Sequence, residues 1–83
     1  MEATIVSDKD RFKAFHQNME WFRDHYPELK KKYADEFVAV NNQRVVDSDA
    51  DSYKLIHRLR KQYGDLRSFA IEHVDDGKVE LIL

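Results

Sequence analysis

Apolar and polar positions along this chain repeat with two periods, and each change of period marks a boundary between elements. Phe12, Phe15, Met19, Phe22, Tyr26, Leu29 and Tyr33 recur at steps of three and four, which places all seven on one helical stripe. Ser7, followed by Asp8 and then Asp10 three residues on, resembles a capping box with a shortened acid and sets negative charge at a helix start. Pro27 interrupts the stripe. It pushes Tyr26 out of helical geometry, yet itself suits a first helical turn. The spacing therefore predicts a long helix over about 8–25 and a short, proline-initiated helix over about 27–33.

Over residues 36–47 the period changes to that of strands. Glu36-Phe37-Val38-Ala39-Val40 is rich in strand formers, Asn41-Asn42-Gln43 supplies turn chemistry, and Arg44-Val45-Val46 resumes the strand pattern. With Asn42-Gln43 as the loop, Val38, Val40 and Val45 fall on one face and Phe37, Ala39 and Val46 on the other. Ser48, with Asp51 three residues later, predicts the start of a second major helix whose apolar positions are Leu55, Ile56, Leu59 and Tyr63, stopped by Gly64. Ser68–Val74 and Lys78–Leu83 then alternate as strands around Asp75-Asp76-Gly77.

Together these elements predict one α+β domain spanning residues 1–83. Its sheet is four-stranded and mainly antiparallel in the order 2-1-3-4, with the most apolar strand near the centre and the helices packed on one face. Helices over Val38 and Val40 would leave Phe37, Ala39, Val46, Ala70, Val74 and Ile82 on an open apolar face. Such patches mark contact sites, so Phe37, Val46, Ala70, Val74 and Ile82 are the expected interaction surface, for self-association or a protein partner. A C-terminal strand ending Leu81-Ile82-Leu83 would add an open edge.

Composition narrows the function classes. Eighty-three residues enclose one core, and the absence of cysteine removes disulfides, thiolate metal sites and a cysteine nucleophile. A cysteine-free chain fits a reducing compartment, so a cytoplasmic location is expected. Fourteen basic against sixteen acidic residues give a net charge of −2, which lacks the bulk basic field of a nucleic-acid binder. The apolar runs are too short to span a bilayer, and Ala3-Thr4-Ile5-Val6 after Glu2 does not make a signal peptide.

The stretch His25-Tyr26-Pro27-Glu28-Leu29 through Lys32-Tyr33, followed by Phe37-Val38-Ala39-Val40 and Val45-Val46, resembles a family pattern. It is similar to the core of the short prokaryotic proteins grouped as domain of unknown function 5678. The resemblance covers about residues 21–74, including the capped second helix. Gln43 departs from the pattern at the hairpin, where the family usually has glycine. The motif positions are mostly apolar or turn-forming, so the resemblance implies a fold and supplies no activity, cofactor or catalytic residue.

Candidate chemistry is sparse. Asp47-Ser48-Asp49-Ala50-Asp51 imitates the start of a calcium loop, but position six is Ser52 where glycine is needed and position twelve is Arg58 where a bidentate glutamate belongs. Acidic residues at a helix start account for the run. His16, His25, His57 and His73 lie on separate elements with no zinc spacing between them, and two glycines cannot build a phosphate-cradling loop. No serine stands in a nucleophile elbow. The chain thus reads as non-catalytic, with no cofactor. The alternative to a protein-interaction module is a nucleic-acid accessory protein using Lys30, Lys31 and Lys32 together with Lys54, Arg58 and Lys61 on one side of the second helix. The bland reading of both basic groups is the solvated side of amphipathic helices.

Overall fold

The structure is a computed structural model that describes residues 8–75. Its elements run α1 (Asp8–Asp24), α2 (Tyr26–Tyr33), β1 (Glu36–Val40), β2 (Val45–Asp49), α3 (Ser52–Tyr63) and β3 (Ala70–Val74). The α+β class expected from the periodicity holds. Among the described residues the sheet has three strands in the order β2-β1-β3, and β1 pairs antiparallel with both neighbours. The expected fourth strand over Lys78–Leu83, and with it Ile82, lies outside the described residues, as does the Ser7 cap.

The break between α1 and α2 falls at His25, one residue before the predicted position, with φ −107° and ψ 11°. Pro27 sits in the first turn of α2, where its missing N–H leaves no intrahelical bond unmade. The carbonyl of His25 accepts from the amides of Glu28 and Leu29, so the chain turns without leaving these donors orphaned.

The Asn41-Arg44 pair closes the hairpin, the Asn41 amide donating to the Arg44 carbonyl at 3.0 Å and the reverse bond measuring 3.3 Å. Asn42 and Gln43 occupy the two loop positions with φ of 53° and 60°, a type I′ turn whose twist matches the strands. A register shift between Ala39 and Val40 sets Val45, and not Val46, opposite Val40. Val45 packs into one core cluster and Val46 into the other, as the two-residue loop predicts.

The helices do not share one face. Phe22 of α1 and Leu29 of α2 pack with Val38, Val40, Ala70 and Val74. Leu55 and Leu59 of α3 pack on the opposite side with Ala39 and Phe69, joined by Phe37, Val46 and Ile71. This corrects the single-layer expectation. The connection from β2 to β3 passes β1, and both side chains at the heart of α3, Leu55 and Leu59, are fully buried in doing so.

A second correction concerns the parity of β3. Val40 pairs with Ala70 and Ala39 with Ile71, so Ala70 and Val74 lie with Val38 and Val40 under α1 and α2. They do not share a face with Phe37. A third concerns the start of α3. Ser48 belongs to β2, opposite Val38, and the cap is Asp51, whose carboxylate accepts from the amides of Tyr53 and Lys54 at 2.9 and 3.3 Å. Ladder pairing with β1 holds residues 47–49 extended, so the helix starts later than Ser48. At the far end Gly64, with φ 82°, donates to the Arg60 carbonyl and ends the helix as expected.

Candidate functional site

Of the five residues expected to form an interaction face, the four that are described present no open apolar surface. Ala70 and Val74 are fully buried beneath α1 and α2, Phe37 and Val46 pack against the α3 cluster, and Ile82 lies outside the described residues. The physical reason is the placement of α3 for Phe37 and Val46, and the register of β3 on β1 for Ala70 and Val74. Once a helix covers the second side of the sheet, its apolar residues are core.

The two basic groups are likewise not brought together. Lys30, Lys31 and Lys32 ride on α2, while Lys54, Arg58 and Lys61 ride on α3, beyond the opposite face of the sheet. Arg58 is also engaged. Its Nε and Nη2 fork onto Asp47 at 3.0 and 3.1 Å, Nη1 meets Asp49 at 2.8 Å, and Nη2 donates to the Ser48 carbonyl at 3.0 Å. These hydrogen bonds hold the Asp47 carboxyl below its usual range. For Asp49 the Asp51 amide contributes most, with Arg58 second. The calcium-like run is thereby resolved: Arg58 lies against two of its carboxylates, and Asp51 is spent on the helix cap. Among the described residues no group of three or more histidine, aspartate or glutamate side chains is placed to hold a metal ion.

Three of the four histidines pack against aromatic rings. His16 stands edge-on to Phe12 at 4.4 Å, and His73 leans on Phe37 at 4.8 Å with its Nδ1 3.2 Å from Asp75. His25 stacks on Trp21 with ring centres 4.2 Å apart and an angle of 20°. Its Nδ1–H donates to the Trp21 carbonyl at 2.9 Å, which fixes the ring's orientation at the helix break.

That stacked pair lines a concavity whose walls are both apolar and charged. A groove of about 300 Å³ runs between α1, α2 and the start of β2. Trp21 and His25 face Tyr33, Leu29 and Val45 give it an apolar floor, and Lys32 and Arg44 stand at it with Glu28 as the opposing charge. Lys32 Nζ lies 5.6 Å from the Tyr33 ring centre, and Lys30 Nζ the same distance from Tyr26, so both ammonium groups are drawn over π faces. The groove combines rigid aromatic surface with a small excess of positive charge, which suits non-covalent recognition of an anionic, partly apolar ligand. Of its residues the sequence marks only Lys32 as a candidate contact, while Leu29, Tyr33 and Val45 stand there as stripe and strand positions and His25 as a lone histidine. Trp21 lies beside the seven-residue stripe, and its spacing of four from His25 was the available signal.

No helix of the described residues is long and apolar enough to cross a membrane. No curated protein and no solved structure matches the chain at a significant level. The model of a family of unknown function, DUF5678, matches residues 28–75, which is more than half of the 83-residue chain and takes in most of α2, the hairpin, α3 and β3. The three strands and α3 thus lie within the match, and the chain belongs to the DUF5678 family.

Proposed function

We propose that the protein is a small non-catalytic interaction module that binds a protein partner through the groove between α1, α2 and β2. The observation that carries this reading is the convergence of Trp21, His25 and Tyr33 with Lys32 and Arg44 around an apolar floor. Tryptophan, tyrosine and arginine supply most of the energy in protein interfaces, because each buries a large, stiff surface and keeps a polar tip. The partner segment that fits carries an apolar anchor for Leu29 and Val45, with acidic side chains for Lys32 and Arg44. Self-association through the sheet loses its support, since both faces of the sheet are covered.

Nucleic acid is the weaker reading. The basic residues are split between opposite sides of the sheet, and the chain as a whole is acidic. The test is affinity capture from the native host with the wild type, Trp21→Ala, Arg44→Glu, and the double variant Lys54→Glu/Lys61→Glu. A protein retained by the wild type and the α3 variant, but lost with Trp21→Ala and Arg44→Glu, is the expected result. Retention that survives both groove changes, or retention of nucleic acid alone, would sink the reading.

A further inference from the structure

The chain contains six carboxamide side chains: Gln17, Asn18, Asn41, Asn42, Gln43 and Gln62. Five of them line one recess, where Ala14 is the sixth lining residue. The sequence keeps them in two runs more than twenty residues apart, and the packing of α1 on the hairpin brings the runs together. Among the described residues no ionisable side chain lines the recess, although 36% of the chain is charged. An uncharged lining of this kind selects against ions and for neutral hydrogen-bonding groups.

The recess is built, not merely assembled from exposed tips. Asn18 is only 3% exposed, and its Nδ2 spends both hydrogens, donating to Asn41 Oδ1 at 3.1 Å and to the Ser68 carbonyl at 2.7 Å. An asparagine has two such donors, so its Oδ1 is the group left for a ligand, held in a fixed direction by those two bonds. Asn41 has given its oxygen to Asn18, which leaves its Nδ2 to donate. The recess therefore offers a preset acceptor and a donor on neighbouring side chains, with Gln17, Asn42 and Gln43 adding further carboxamide forks.

We propose that this recess is a binding site for an uncharged heterocyclic base, independent of the aromatic groove. A carboxamide presents its C=O and N–H side by side, which matches the fixed donor–acceptor edge of a nucleobase in two-point fashion. Charge-assisted bonds from ionised acceptors, the stronger hold on a sugar's hydroxyls, are absent from the described lining. Its volume of about 260 Å³ is below the roughly 300–1,000 Å³ of sites for drug-sized molecules, which fits a single small ring system.

The experiment follows the side-chain amide signals of ¹⁵N-labelled protein by NMR while adenosine, guanosine, cytidine, uridine, methyl glucoside or inorganic phosphate is added. The expected result is saturable movement of the Asn18, Asn41 and Gln43 signals with at least one nucleoside and none with methyl glucoside or phosphate. Gln17→Ala and Gln43→Gly each weaken that binding about fivefold, the scale of one lost hydrogen-bonding group, while Gln62→Ala and Trp21→Ala leave it unchanged. Silence with all four nucleosides overturns the proposal, as does equal movement with methyl glucoside. Loss on Trp21→Ala would also overturn it, by assigning the base to the groove.

Discussion

Gln43 shows at a single residue how local geometry and side-chain choice conflict. A type I′ turn needs positive φ at both central positions, and Gln43 adopts 60°. A left-handed backbone costs a residue with a Cβ about 1–2 kcal/mol, of which glycine's greater freedom in the unfolded chain returns roughly half. Gln43→Gly is therefore expected to stabilise the fold by about 0.5–1 kcal/mol in urea unfolding. The same change removes a carboxamide from the recess, so stability and ligand affinity move in opposite directions. The turn was legible from Asn42-Gln43 in the sequence. The recess was not, because Gln17 and Asn18 meet residues 41–43 only through helix packing.

Between elements, the Arg58 clip joins α3 to the edge strand β2. Asp47 and Asp49 point toward α3 because they pair with Ala39 and Phe37, whose side chains lie on that face. Their pKa values are depressed on folding, and Asp65 is held at about 2, chiefly by the Arg67 side chain. A carboxyl with a lowered folded pKa adds stability that is present above its unfolded value, 3.8, and is lost as pH falls through the folded value. Stability should therefore decline from about pH 4 toward pH 2. Arg58→Gln should flatten chiefly the part of that slope due to Asp47, and less of that due to Asp49, where the Asp51 amide acts first, measured as the urea midpoint against pH, and leave the Asp65 part in place. An unchanged slope would mean that the clip adds nothing to stability. The sequence marked Arg58 as a member of a basic stripe. Its partners on β2 were hidden by the reading of Ser48 as a helix cap.

For the whole molecule, the decisive fact is that helices cover both faces of the sheet. Val46 is the informative position. If its face were an interface between copies, a charge there would lower the mass and leave the fold intact. Packed against the α3 cluster, Val46→Asp should instead cost about 2–3 kcal/mol of stability, the range for a charge forced into a packed site. Light scattering should show no change in mass for the folded fraction. A variant of unchanged stability and reduced mass would restore the sheet as a docking surface.

Local pattern alone determined the helices, the break near Pro27, the hairpin with its two-residue loop, the stop at Gly64 and the central place of β1. Each depends on contacts or backbone limits within a few residues, which periodicity and turn chemistry record. Tertiary structure alone decided which side of the sheet α3 covers, which way β3 faces, and which polar side chains meet. A strand's alternation fixes two faces without saying which is up, and a shift of one residue in pairing exchanges them. Those two choices turned Ala70 and Val74 from a predicted contact surface into core and packed Phe37 and Val46 against α3. The surfaces proposed for recognition lie instead where α1 meets the hairpin and α2, because only folding brings those segments together.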